Sequence, residues 1–351
     1  MYFDVYRNHP GVRVTTCIDT DIHRARAAAA YFAGDGGAVL ASMDFADALK
    51  PEVDLLVINT PNYLHCKQAV AALKLNKHVF LQKPIATTLE DAMTILRASR
   101  ESGGVAGVYM SYFDHPVVHD FKAMAEQGWF GDITQMHGRL MHANGLLWSN
   151  ETLHGRPSWR GSIQQTGGGA FIQLAVHYFR TMCWLTGQRV ARITGFSSSL
   201  KCVGLEGEDS AVALLEFSEG AQATLNLSWC TRGEELSIHG TKGFMTYLDN
   251  EQTRLQSSEN FDGKVLHYTG PKEQYVNCPA VSHGDATQPT NQHRVFLESL
   301  AKGEPPFVSV ESAVEDMAVV KAFYESIHCG KPVEVAPLSD LFAGMQIAAR
   351  A

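Results

Sequence analysis

Hydrophobic positions change their period twice along this chain. Asp54 to Thr60, DLLVINT, is a continuous apolar run of strand length, the pattern of a strand covered on both faces in a parallel sheet. Further strand-like runs occupy Val12–Asp19 (VRVTTCID, β-branched), His78–Leu81 and Gly104–Met110. Between them the spacing is helical: Ile22 to Phe32, Tyr63 to Leu75, and Thr88 to Ser99, where Thr87 or Thr88 and Glu90 stand near a capping position. Alternating strand and helix with short connections predicts an α/β, Rossmann-like doubly wound parallel sheet. The rhythm changes at His115-Pro116. A helix over Pro116–Gly128, a long strand over Gly131–His142 and a polar stretch over Ala143–Thr166 come next. After Gly187, alternating segments at Arg192–Leu200, Ser210–Phe217, Ala221–Trp229, Glu234–His239 and Gly243–Leu248 are separated by turn residues. They predict an α+β unit with a large, mostly antiparallel sheet, open on one face. Residues 255–287 read as irregular, and helices are expected over Thr290–Lys302 and Ser309–His328. The expected division is 1–115, 116–335 and a C-terminal tail, 336–351.

One segment stands apart. Gly167 to Gly187, GGGAFIQLAVHYFRTMCWLTG, opens on three glycines and continues with helical apolar spacing. Gln173 and His177 lie four apart and share a face, among apolar neighbours. The glycines admit a backbone or a ligand close to the helix start. The pair reads either as a pocket wall or as a core histidine with a loop-bonding glutamine. Tyr178 points off that face, toward the core.

Composition narrows the class. The chain has 351 residues, 45% hydrophobic and 19% charged, with a net charge of −8. That is room for two globular domains. No Lys/Arg cluster offers a nucleic-acid face, and no apolar run is long enough for a membrane helix. The seven cysteines are scattered without a C-x-x-C pair, which points to reduced thiols in the cytoplasm. Glu206, Glu208 and Asp209 form an acidic turn with no His or Cys in ligand order, so no metal is expected.

Ligands of a doubly wound sheet bind outside the carboxyl ends of its strands. Asp19 stands at such an end, suited to ribose hydroxyls or simply a surface turn. With Asp21 beside it and no adjacent arginine, NAD is favoured over NADP. Thr60-Pro61-Asn62-Tyr63-Leu64-His65 follows DLLVINT. Asn62 there can hold a ribose or amide, and His65 either joins it or caps the next helix. Gln82-Lys83-Pro84 follows VFL, leaving Lys83 at a strand end among apolar residues.

NTPNYLHCKQAVAALKLNKHVFLQKPIATTLEDA, GGGAFIQLAVH and ESIHCGKPVEV agree in order and spacing with motifs of the Gfo/Idh/MocA family, which this chain resembles over nearly all of residues 1–335. The resemblance implies an NAD-dependent oxidoreductase acting on a secondary alcohol of a sugar, polyol or glycoside. It implies cofactor contacts from Asp19, Thr60, Pro61, Asn62, His65, Gln82 and Lys83. Lys83 takes the place of the lysine that meets the reacting hydroxyl and the nicotinamide ribose, and His177 that of the acid/base. A histidine can accept the hydroxyl proton and an ammonium can stabilise the alkoxide. Two departures bear on this: Gln82 stands for the motif's Glu, and Gln173 for an Asp four residues before the histidine. An amide hydrogen-bonds but carries no charge or exchangeable acid proton. Proton transfer therefore falls to His177 and Lys83, with Gln173 orienting.

The substrate side is expected to include Tyr112, His115, Trp159 and Arg160, from a segment whose tryptophans and arginines (Trp148, Trp159, Arg156, Arg160) suit sugar rings or a carboxylate. Tyr112 and His115 stand at the domain junction. His293 is a further candidate for the pocket. The resemblance implies that the open sheet face makes subunit contacts, so a homodimer or homotetramer is expected. An NAD-dependent glycosidase working by transient oxidation, and a non-catalytic relative that has lost dinucleotide binding, are the alternatives. The third departure feeds the latter: Met1 to Gly11 reads as the end of a first helix, without the strand and glycine loop that hold a pyrophosphate. Either the natural chain carries a further ~25–30 residues, by comparison with the usual unit, or the chain binds dinucleotide poorly or not at all. An intact mass above 38.5 kDa for the native protein is the expected result, and 38.5 kDa excludes the longer chain.

Overall fold

The structure, a computed structural model, describes residues 2–34, 37–248, 252–257, 266–271, 287 and 289–348. Helix α1 (Phe3–Asn8) leads to β1 (Thr16–Ile18), α2 (Ile22–Ala33) and β2 (Leu40–Ser42). Then come β3 (Leu55–Ile58), α3 (His65–Leu73), β4 (His78–Gln82), α4 (Leu89–Glu101) and β5 (Ala106–Tyr109). All these strands run parallel, β1 with β2 and β3-β4-β5 as a second group. No strand among the described residues joins β1 to β3. Val5, Tyr6 and Leu297 instead form a small apolar cluster, with Val12, Val14, Leu55 and Val57 packed around it. Helix α4 starts where expected because the Thr88 hydroxyl accepts the Asp91 N–H at 3.1 Å, with Glu90 and Asp91 in the first turn.

The second part begins with α5 (Pro116–Glu126), its proline in the first turn, then β6 (Ile133–Met141), α6 (Asn144–Leu153), α7 (Ile163–Thr166) and α8 (Ala170–Thr186). Strands β7 (Val190–Ser198), β8 (Ser210–Phe217), β9 (Gln222–Ser228), β10 (Gly233–Gly240), β11 (Gly243–Leu248), β12 (Gln252–Ser257) and β13 (Leu266–Pro271) follow. Helices α9 (Gln292–Lys302) and α10 (Val310–Cys329), strand β14 (Val333–Glu334) and helix α11 (Leu338–Ala348) end the chain. The sheet order is β13-β12-β11-β10-β6-β9-β8-β7-β14, antiparallel except for β6 beside β9. Its strict alternation puts Ala211, Ala213, Leu215, Ala223, Leu225 and Leu227 inward, while Phe196, Val212 and Leu214 face out. Helix α8 lies on the inner face. Gly138 of β6 makes this possible, since a Cβ there would stand 2.4 Å from the Tyr178 ring. One contiguous apolar core runs from β3–β5 through α8 into this sheet.

Three stretches depart from the periodicity reading. The polar stretch 143–166 carries helices α6 and α7. Strands β12 and β13 stand within or beside residues expected to be irregular, and Ser282–Asp285 lie outside the described residues. The tail forms α11, with Leu341 and Phe342 against the core and the Arg100 guanidinium 3.9 Å over the Phe342 ring. Strand β2 is only three residues long and shows no period of its own.

His293 does not reach the Gln173/His177 face. It is fully buried at the start of α9, with its Nδ1 2.7 Å from the Tyr6 hydroxyl and its ring stacked 4.3 Å from Tyr2. Burial pushes it down to about 3. Between that value and the ordinary histidine range near ~6.5 the unfolded chain holds a proton that the folded chain refuses, so stability falls as pH drops. His293→Gln is expected to flatten the stability–pH slope between these limits by about 1.4 kcal/mol per pH unit, one proton's worth. Chemical denaturation at several pH values checks this, and an unchanged slope contradicts it.

Candidate active site

The start of α8 is built from far along the chain. Glu208 receives the Gly169 N–H at 3.1 Å and the Phe171 N–H at 2.8 Å on its two carboxylate oxygens, and its carbonyl receives the Ala170 N–H at 2.7 Å. These are the donors that a helix start leaves without partners, and an acid there also suits the helix dipole. The Tyr324 hydroxyl donates to the same carboxylate at 3.0 Å. A Cβ on Gly169 would lie 2.1 Å from the Glu208 carbonyl oxygen, so the glycine admits the protein's own backbone rather than a ligand. The rest of the acidic turn is likewise engaged. Glu206 accepts the Ile163 N–H at 2.8 Å, and Asp209 accepts those of Leu200, Lys201 and Cys202. Cys202 and Cys230 do come within 4.8 Å of Asp209 in space, a grouping that linear order hides, but that carboxylate is already spent on amides.

The helix thus fixed presents Gln173 and His177 one turn apart, 8% and 6% exposed. Lys83, at the end of β4, reaches the same turn: its ammonium donates to the Gln173 carbonyl at 2.7 Å. Gln82 does not anchor that ammonium, because its side-chain oxygen accepts the Lys83 backbone N–H at 3.0 Å. The Lys83–Pro84 bond is cis. Among the described residues no carboxylate pairs with Lys83. Burial first, and the nearby Arg160 second, push its amine down to about 7. An ammonium has three donors, and among the described residues only one of them is bonded. Lys77 is a contrast, with its amine given to the carbonyls of Lys50 at 2.8 Å and Val53 at 2.5 Å. The side-chain amide nitrogen of Gln173 is buried without a hydrogen-bond partner.

Arg160 is half-buried between two rings, 4.4 Å from the Trp159 centroid and 5.2 Å from that of Trp148. His142, just past β6, packs edge-on to Trp148 at 6.0 Å. Burial lowers its pKa, and the positive charges of Lys83 and Arg160 lower it further. Sequence reasoning missed His142. Its only signal is its place at the end of a long strand before the indole-bearing segment.

The turn after β3 is closed on itself. The ring nitrogens of His65 lie 2.9 Å from the Thr60 carbonyl and 3.0 Å from the Pro84 carbonyl, and the residue is fully buried. His65 therefore ties this turn to the Lys83-Pro84 bend and has no nitrogen left for a cofactor, which corrects the expectation. The Thr60 hydroxyl donates to Gln68 at 2.7 Å, and the Asn62 amide donates to the Thr166 carbonyl at 3.1 Å, joining the turn to α7. Pro61 shapes the turn. Asp19, at the end of β1, accepts the Asp21 N–H at 2.9 Å. Tyr112 packs its ring 6.3 Å from His177 and 5.9 Å from His115, but its hydroxyl joins Tyr178, whose own hydroxyl donates to the Arg139 carbonyl at 2.8 Å. Tyr112 thus buttresses the histidine with its ring. The structure joins Lys83 to the helix of Gln173 and His177, sets Tyr112 against both His177 and His115, and stacks Arg160 on Trp159.

Residues 1–110 match the family model for an oxidoreductase family with an NAD-binding Rossmann fold, which sets the class. Residues 118–246 match the Gfo/Idh/MocA C-terminal domain, and the chain belongs to the Gfo/Idh/MocA family. It is 29% identical over 239 residues to 1,5-anhydro-D-fructose reductase of Ensifer adhaerens, over 66% of this chain and 69% of that one. It is 30% identical over 236 residues to 2,7-anhydro-N-acetylneuraminate hydratase of Escherichia coli, over 65% and 60% respectively. The fold matches levoglucosan dehydrogenase in complex with NADH and L-sorbose with a TM-score of 0.83, 18% identity and 96% of each chain covered. No helix among the described residues is long and apolar enough to cross a membrane.

NAD is the cofactor of this family's first domain. The residues present fit its two ribose ends: Lys83, whose ammonium makes one hydrogen bond among the described residues, suits the nicotinamide ribose, and the carboxylate of Asp19, at a strand's carboxyl end, suits the adenosine ribose. Among the described residues no glycine-rich turn leads from a strand into a helix, so no pyrophosphate contact is assigned.

If Glu208 sets the helix start, Glu208→Ala strips partners from two α8 amides and the Tyr324 hydroxyl. A loss of about 1–3 kcal/mol in chemical denaturation is expected; a loss near zero removes the carboxylate from this account.

Proposed function

We propose that this protein transfers hydride between NAD and a secondary alcohol of a sugar, polyol or glycoside, with residues 1–115 holding the dinucleotide and 116–335 the substrate. The observation that carries the proposal is the hydrogen bond from Lys83 to the Gln173 carbonyl, which sets a strand-end ammonium on the helix that bears His177. NAD, when bound, supplies the hydride acceptor. Lys83 stabilises the alkoxide that forms as the carbinol loses its proton, and His177 receives that proton. Gln173, an amide, orients the hydroxyl. Trp159, Trp148 and Arg160 form the wall against which the sugar stacks. Asp19 with Asp21 disfavours a 2′-phosphate, which supports NAD over NADP.

The named relatives act on anhydro sugars, so a test panel includes levoglucosan and 1,5-anhydro-D-fructose beside inositols, aldoses and glycosides, read as NADH absorbance. On the best substrate, His177→Ala is expected to lower kcat about 10²–10⁴-fold, the usual worth of a positioned acid/base. Gln173→Ala is expected to cost about tenfold, one hydrogen bond. The reverse order overturns the assignment, and a panel without any NADH-linked turnover overturns the function.

The hydratase relative supports a second reading, in which oxidation is transient and water is added or a glycoside cleaved with no net redox change. Release of aglycone from an aryl glycoside, dependent on NAD but without NADH accumulation, selects it. For assembly, Phe196, Val212 and Leu214, at 82%, 44% and 53% exposure, form an apolar outer stripe that supports a dimer or tetramer through this face. Light scattering is expected to give a multiple of 38.5 kDa, and a clean monomer contradicts it.

A further inference from the structure

We infer that Cys202 and Cys230 are a modification site: a thiol pair that closes to a reversible disulfide by exchange with a small-molecule disulfide, and so clamps the loop on which α6 rests. The pair lies outside the Lys83–His177 chemistry, and its oxidation does not depend on what the protein turns over.

The two sulfurs lie 3.7 Å apart, although their residues are 28 apart in the chain. Among the described residues no other two cysteine sulfurs are in contact. A disulfide of ~2.05 Å asks them to close by roughly 1.6 Å, a shift that side-chain rotation can supply.

Both backbones are held for that meeting by one residue. The Asp209 carboxylate accepts the N–H groups of Leu200, Lys201 and Cys202 at 2.9, 2.7 and 2.8 Å, which fixes the loop that follows β7. The Asp209 carbonyl accepts the Trp229 N–H at 2.7 Å, which fixes the chain just before Cys230. The Ser228 hydroxyl oxygen then accepts the Cys230 N–H at 3.0 Å. A buried acid bonded to two segments at once leaves little freedom for the sulfurs to part.

Cys202 is 5% exposed and Cys230 is half-buried, so Cys230 meets an oxidant first. Its thiolate attacks one sulfur of glutathione disulfide, forming a mixed disulfide and releasing one glutathione thiolate. The Cys202 thiolate attacks the Cys230 sulfur and releases the second. Two protein thiols are oxidised, one disulfide is reduced to two thiols, and the two protein protons pass to the departing glutathione thiolates. Burial raises both protein thiols. Thiolate is therefore scarce at neutral pH, and exchange runs over hours rather than seconds.

The first turn of α6 rests on the pair. A Cβ on Gly145 would lie 2.7 Å from the Cys202 sulfur and 2.5 Å from the Trp229 Cβ. Ser149, one turn on, donates its hydroxyl to the Val203 carbonyl at 2.6 Å. Trp148 of the same helix packs edge-on to Trp229 at 5.3 Å. A covalent bond between Cys202 and Cys230 thus restrains the loop, the end of β9 and the helix seated on both.

The test is oxidation of the reduced full chain with glutathione disulfide, followed by alkylation with N-ethylmaleimide, intact mass and peptide mapping. The chain is expected to lose two hydrogens, with the Cys202 and Cys230 peptides joined, and dithiothreitol is expected to restore both thiols. Cys202→Ser is expected to stop at a glutathione adduct on Cys230. The wild-type map carries the test even if that variant does not fold. Full alkylation of both cysteines after oxidation, a stable adduct on Cys230 beside a free Cys202, or modification confined to the exposed Cys329 each overturns the disulfide. Hydrogen exchange reads the clamp: residues 144–153 and 199–206 are expected to exchange at least about twofold more slowly in the oxidised chain. Unchanged exchange there overturns the clamp.

Discussion

A lysine ammonium drawn off the end of a parallel strand and set on a helix carbonyl, with no carboxylate among the described residues to balance it, is the constraint around which this molecule is arranged. The Lys83–Gln173 bond spans ninety residues of sequence and joins the two parts of the chain at one point. Everything that fixes either end bears on the chemistry. On the strand side, the buried His65 holds the Thr60 turn to the Pro84 carbonyl. On the helix side, Glu208 secures the first amides of α8 and Asn62 reaches across to the Thr166 carbonyl. These are polar groups whose burial would be unfavourable if unpaired, so each bond also restricts where the two parts can sit.

The consequence is an electrostatic site unlike an ordinary ion pair. A carboxylate beside Lys83 would hold its proton firmly; without one, burial and Arg160 bring its amine near neutrality. Such a group can both stabilise a developing alkoxide and exchange a proton at physiological pH. The two glutamines at 82 and 173 flank the lysine without adding a charge beside it.

Much of this was legible in the residues. A lysine between an apolar strand and a proline, and a Gln/His pair one helical turn apart behind three glycines, announce themselves through local pattern, and the two do meet. What could not be read depended on contacts distant in sequence. Glu208 lies 39 residues past the amide it caps, within an acidic turn that looks solvated. His142 joins the site only because β6 runs in the middle of a nine-stranded sheet and ends beside α6, and α6 itself was hidden in a stretch whose polar residues mask its period. His65 looked available by spacing, yet its two ring nitrogens face the carbonyls of Thr60 in its own turn and of Pro84 in the bend after β4. The β2 strand has too few residues for any alternation to show.

The most direct test is the titration of Lys83 itself. NMR of the protein labelled at the lysine ε-carbon, with the Lys83 signal identified by its loss in Lys83→Met, reads that one amine. A midpoint near 7 is the result this account requires. A midpoint near the ordinary lysine value of about 10.4 would show a solvated or carboxylate-paired ammonium, and would contradict it.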